Sequence, residues 1–154
     1  KLAVQGGVSR RAAQGHGERP NNTSWSVSAD LFSILGNGDR LGFSLGHKES
    51  EGAEDYLTYD STGVTARYTL AKPVLDMSWS FDLTYSEKTH ANSAYSDDGR
   101  QEYTTQARAT AVLNRFDYYG FVPEVSLTAK RVESNISLYQ SEDIGLSLGL
   151  RSSF

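Results

Sequence analysis

The chain has 154 residues, 38% of them hydrophobic, and its 15 Lys and Arg against 19 Asp and Glu leave a net charge of −4 with no Cys. That length bounds it to one domain, residues 1–154. The missing Cys exclude a disulfide framework and thiol chemistry, and the acidic balance argues against a nucleic-acid partner. Mean hydropathy is −0.50, and no run approaches the roughly 18 apolar residues of a transmembrane helix, but a membrane strand needs only about 9–11 residues with alternate ones apolar.

Period-two alternation predicts eight strands. The first covers 2–13 with Leu2, Val4 and Val8 on one face, and Lys1 opens almost directly on it, as in a processed mature protein or a piece of a longer one. The second covers 23–35, with Trp25, Val27, Ala29 and Leu31 outward. The third covers 40–50, with Leu41, Phe43 and Leu45 outward. The fourth covers 57–71, with Val64, Ala66, Tyr68 and Leu70 outward. The fifth, 74–88, is the clearest: Leu75, Met77, Trp79, Phe81, Leu83 and Tyr85 alternate with Asp76, Ser78, Ser80, Asp82, Thr84 and Ser86. The sixth covers 101–115 with Tyr103, Ala107, Ala109, Ala111 and Leu113 outward. The seventh covers 120–133, with Phe121, Val125, Leu127 and Ala129 outward. The eighth, 142–154, sets Ile144, Leu146, Leu148, Leu150 and Phe154 against Gly145, Ser147, Gly149, Arg151 and Ser153.

Short turns at 36–39, 71–73 and 116–119 alternate with longer polar connections at 14–22, 50–56, 89–100 and 134–141. Such alternation, an apolar outer face and a small or polar inner one predict an all-β fold: an antiparallel up-and-down transmembrane β-barrel, either a whole small barrel or the carboxy-terminal part of a wider one. Both chain ends then lie on the periplasmic side of a Gram-negative outer membrane. A soluble barrel would bury the apolar face and leave the other to solvent; here the opposite face carries Arg, Asp and Lys at mid-strand.

That opposite face contains Asp30, Asp76, Asp82 and Glu124 with Lys48, Arg67, Arg108, Lys130 and Arg151, a near-balanced set expected to form a lumen charge network. Asp82 and Arg108 are expected to pair across the fifth and sixth strands, with Arg67 reaching the same carboxylate. An aromatic girdle is expected at each interface: Trp25, Tyr59, Tyr85 and Tyr103 at the external rim, and Phe32, Tyr118, Tyr119, Phe121 and Phe154 at the periplasmic one. The connection 89–100 has almost nothing apolar to bury and is expected to be the most mobile segment. His47 near a strand end and His90 in that connection read as solvated rim residues. No catalytic group, cofactor or metal site is expected, because three scattered histidines do not make a ligand set.

The last 35 residues add a resemblance. Gly120-Phe-Val-Pro123, then Lys130-Arg-Val-Glu-Ser134-Asn135-Ile-Ser-Leu-Tyr139, then Ile144 to Phe154 is similar to the carboxy-terminal end of the surface lipoprotein assembly modifier (Slam) barrels. In that family a G-x-x-P opens the penultimate strand, a Ser-Asn-Ile…Tyr segment forms the last external loop and an aromatic ends the final strand. The resemblance implies the barrel module of a factor that moves lipoproteins or secreted proteins to the cell surface, with outer-membrane lipid, the barrel-insertion machinery and a surface lipoprotein client as partners. Phe154 matches the terminal aromatic that serves as assembly signal. The chain departs from the family in lacking a helical-repeat domain and in supplying only about eight strands. The alternative is a stand-alone structural or adhesion-type barrel acting through its external loops.

Overall fold

The computed structural model describes residues 2–11, 22–52, 58–93, 95–96 and 98–152, with side chains from residue 23 onward. It contains β1 (Leu2–Arg11), β2 (Asn22–Ile34), β3 (Arg40–Gly52), β4 (Tyr59–Thr69), β5 (Met77–His90), β6 (Arg100–Leu113), β7 (Phe121–Ser134) and β8 (Ser141–Ser152). They form one antiparallel sheet in the order β1-β2-β3-β4-β5-β6-β7-β8. Among the described residues β1 pairs only with β2 and β8 only with β7, so the sheet is open.

Because side chains alternate along each strand, the register sorts them into rungs. One rung runs Leu31, Phe43, Ala66, Leu83, Ala107, Ala129 and Ile144 across β2 to β8. The adjacent rung on the other face runs Phe32, Gly42, Arg67, Asp82, Arg108, Thr128 and Gly145. The apolar face is exposed rather than packed on a second layer: Leu83 is 56% accessible and Ile144 is 84%. Among the described residues only Ala111, Val112 and Val122 are buried apolar side chains, and they do not share one face: Ala111 is level with Trp79 and Val125, Val112 with Ser78 and Glu124.

The strand ends climb in a regular staircase. On the β5 scale, the β2–β3 turn ends level with Ser80, through Arg40 and Thr69. β5 itself begins three residues lower at Met77, and β7 begins lower again, three residues below Glu124, which is level with Ser78. The opposite ends shift in the same sense: β3 runs two residues past Ser50, the partner level with His90, whereas β7 stops at Ser134, level with Lys88. The slip is about one residue per strand. With about 3.3 Å per residue and 4.8 Å between strands, it corresponds to a strand tilt of roughly 35°.

The turns correct the expected boundaries. Residues 74–76 do not belong to β5. Val74 and Met77 close an isolated bridge around Leu75 (φ 55°) and Asp76 (φ 59°), a two-residue turn of the type I′ form with both central residues left-handed. Alternation of apolar and polar residues runs on through Leu75 and Asp76, which is why the sequence reads as strand there. Tyr118 and Phe121 close a similar bridge around Tyr119 (φ 51°) and Gly120 (φ 79°). These two connections, 70–76 and 114–120, are no shorter than 53–58 and 135–140 at the other end, so length alone does not separate the two ends. β4 stops at Thr69, and β6 gives way at Asn114–Phe116 to a single 3-10 turn.

Candidate functional site

At the turn end, Asp39 holds two hairpins together. Its buried carboxylate accepts hydrogen bonds from the Ala71 N–H (2.8 Å), from Asn37 Nδ2 (2.6 Å) and from the Tyr68 hydroxyl. The Ala71 N–H, followed by the Tyr68 hydroxyl, keeps this carboxyl below its ordinary range.

The polar face bears two cross-strand ion pairs, one at mid-strand and one near the turn end of β7 and β8. Arg67 Nε lies 2.5 Å from Asp82 Oδ1, and Arg151 Nη2 lies 2.5 Å from Glu124 Oε2. The expected partnership of Asp82 with Arg108 does not form. Arg108 is level with Asp82 but donates to Thr128 Oγ1 at 3.2 Å. Asp30 accepts from the Ser44 hydroxyl. Lys130 is level with Asp143 but makes no ion pair among the described residues. Asp76 sits in the turn and is separated from the others. Of the nine charged residues, four are therefore paired on this face, and both ion pairs join neighbouring strands, as do the hydroxyl contacts of Thr65 with Thr84 and of Thr110 with Ser126, both at 2.9 Å.

The opposite end of the same face gathers cations that sequence reading did not group. Lys48 and Lys88 lie on one rung, with Ser61 between them. Their ammonium groups stand 5.5 Å and 4.0 Å from the ring of Tyr59, which points to the polar face rather than outward to a lipid girdle. Arg100 lies over the Tyr139 ring at 4.1 Å and its Nε is 3.2 Å from Glu102 Oε1. His90 is not in a loop: it ends β5 and is 1% accessible. Its Nδ1 contacts the Thr58 carbonyl at 3.1 Å and its Nε2 contacts Arg100 Nη2 at 2.5 Å. Because the guanidinium only donates, Nε2 accepts and the N–H sits on Nδ1. His90 thus ties the β5–β6 hairpin to the start of β4. No known protein family, curated protein or solved structure matches the chain.

The segment Ser134–Tyr139 braces this end. The Asn135 side chain accepts from the Gln101 N–H at 2.9 Å and donates to the Gly99 carbonyl at 3.1 Å. Tyr95 rests edge-on against Tyr139 at 6.3 Å, so connection 91–99 has an aromatic contact after all. Gly99 closes it at φ 76°, where a Cβ would come within 2.4 Å of the His90 carbonyl oxygen. Residues 94, 97 and 154 lie outside the described residues, and with them the expected assembly signal Phe154.

Outward residues at the same height have the opposite sign. Glu49 neighbours Lys48 and Glu87 neighbours Lys88 in sequence, so alternation sends the carboxylates to the outer face and the ammonium groups to the inner one. Trp25, Tyr85 and Tyr103 lie on this outer face toward the cationic end; Tyr118, Tyr119 and Phe121 lie at the turn end. Phe32 lies two residues from the turn end of β2, but on the polar face with Arg67 and Asp82 rather than in an outward girdle. Between the aromatics, Ala66, Ala107, Ala109 and Ala129 leave an apolar furrow of about 450 Å³ walled by Leu41, Phe81, Leu83 and Leu127. The arrangement offers a cationic end on the polar face, suited to anionic groups, and an exposed apolar surface on the opposite face.

Proposed function

We propose that this chain is wall of a Gram-negative outer-membrane β-barrel wider than eight strands, and that the barrel serves to export or display lipoproteins or secreted proteins at the cell surface. The observation that carries the first half is the outward face. From Met77 to Tyr85 its β5 residues are apolar or aromatic, and beyond Tyr85 the rungs turn to Glu87, Tyr103 and Glu133, then to Glu49 and Asp60. Nine residues at roughly 35° tilt span about 22 Å, close to the ~25 Å apolar band of such barrels. An apolar face this exposed is costly in water and at rest in lipid.

The width follows from the polar face. A closed eight-stranded barrel is just wide enough to be filled by side chains. Here the ion pairs and hydroxyl contacts described on the polar face reach no farther than the next strand, and Arg67 and Arg151 keep 63% and 58% of their side-chain surface exposed. A wide, wet lumen suits both facts. The export role rests on the likeness of residues 120–154 to the Slam carboxy terminus, supported by the anchoring work of Asn135 and Tyr139 within the segment that carries it.

The absence of Cys makes the test direct. Single cysteines at Phe81, Leu83, Ser80 and Thr84 are introduced into the full-length protein in its native envelope. The first two are expected to react only with membrane-permeant maleimides, and the last two with water-soluble ones. Equal reactivity at all four sites refutes the membrane reading. Export is tested separately: protease shaving of cells lacking the protein is expected to show surface lipoprotein retained inside, and an unchanged surface complement refutes the export role.

A further inference from the structure

His47, Glu49 and Asp60 converge on the outer face, and we propose that they bind a divalent cation of the zinc class. His47 and Glu49 are two apart on β3 and so share that face. Asp60 stands directly opposite Glu49 on β4, and Thr62 directly opposite His47. One ligand atom from each of the three residues lies within 4.8 Å of the others.

Three observations single this cluster out from surface acids in general. The first is spacing. His47 Nε2 and Glu49 Oε1 are 3.4 Å apart, which is about the separation of two ligands each bound at 2.0–2.1 Å to one tetrahedral zinc. Asp60 needs to swing by only about 1 Å to complete a facial set of three, with water in the fourth position.

The second is orientation by outer partners. His47 Nδ1 is 2.9 Å from Thr62 Oγ1, and the Trp25 indole N–H donates to Glu49 Oε2 at 2.6 Å. Each ligand therefore has its far atom occupied, leaving His47 Nε2 and Glu49 Oε1 turned toward each other. This is how outer-shell bonds fix metal-binding histidines and carboxylates. The Trp25 and His47 rings, 5.3 Å apart, hold the imidazole further in place.

The third is charge. Glu49 and Asp60 are like charges in directly opposed positions, a destabilising arrangement in a sheet. Lys48 and Lys88 lie on the next rung but face the other side, against Tyr59. Among the described residues Asp60 has no ion-pair partner, and Glu49 has only His47. A bound dication would supply the missing positive charge. An imidazole among the ligands favours zinc, copper or nickel over magnesium or calcium, which take all-oxygen sets.

The site depends on the β3–β4 register and not on the membrane reading, so either stands without the other. The test titrates zinc chloride into the folded full chain by calorimetry, with circular dichroism on every variant. One zinc per chain is expected. His47→Gln and Asp60→Asn are each expected to weaken binding at least about tenfold, while His16→Ala leaves it unchanged. Copper(II) should quench Trp fluorescence in the starting protein and not in His47→Gln. The proposal is overturned if zinc binding is not saturable, if His47→Gln binds as well as the starting protein, if His16→Ala abolishes binding, or if magnesium binds equally tightly.

Discussion

Arg67 reaches Asp82 from β4 with Nε 2.5 Å from Oδ1, and Arg108, level with the same carboxylate on β6, turns away to Thr128. Two cations thus flank one anion and only one engages it. Since the Arg67 side chain is 63% exposed, its charge stays solvated when the carboxylate is removed. Asp82→Ala is expected to cost under about 1 kcal/mol in urea unfolding in detergent, as for exposed pairs. A loss of about 3–5 kcal/mol would signal a dehydrated pair and a narrow lumen.

The turn at Leu75-Asp76 places two non-glycine residues in the left-handed region, and Leu75 is 81% exposed, so nothing packs on it to offset the strain. Left-handed backbone costs such residues roughly 1–2 kcal/mol each, whereas Asn-Gly suits this turn. The double substitution Leu75→Asn, Asp76→Gly is expected to raise stability by about 1–2 kcal/mol. A thermal or urea midpoint that falls instead would count against the turn geometry.

Asp39 gives the turn end an acid sensitivity. Its folded-state pKa lies below the unfolded one, so its contribution is fully present above the ordinary carboxylate value and disappears as pH falls through the depressed folded value. Asp39→Ala is therefore expected to be less stable than the starting protein at pH 7, with the difference shrinking below about pH 4. Unfolding midpoints that differ equally at pH 7 and pH 3 would contradict this linkage.

Leu83 sits at the centre of the apolar rung, and its sequence neighbour Thr84 lies on the polar face beside Thr65. In phospholipid vesicles Leu83→Arg is expected to cost about 2–4 kcal/mol, the mid-bilayer penalty for arginine on a barrel's lipid face. Thr84→Arg should cost under about 1 kcal/mol. Similar losses at the two positions would remove the case for a lipid-facing side.

The strands were legible because both faces are marked: Trp79, Phe81 and Leu83 against Ser80, Asp82 and Thr84 leave one register. Where both neighbours keep the alternation but the chain reverses, as at Leu75-Asp76, period two misreads a turn as strand. Side-chain choice was not legible either. The register makes Arg67 and Arg108 equal candidates for Asp82, and only rotamers decide between them. The cationic mouth was half visible in Lys48-Glu49 and Glu87-Lys88, whose adjacent opposite charges fall on opposite faces of a strand. The His47, Glu49 and Asp60 cluster depends on how β4 returns after residues 53–58, which spacing along one strand does not reveal.

The outer edge of β8 has consequences for handling the protein. No strand pairs with its far side among the described residues, and Leu146, Leu148 and Leu150 are 70–78% exposed beside it. Such an edge is a template: it recruits any extended chain, including another copy of itself. In the wider barrel proposed above a further strand occupies this edge, so concentration-dependent refolding is expected of these 154 residues on their own, with dilute chains in micelles remaining dispersed and concentrated ones adding edge to edge into oligomers.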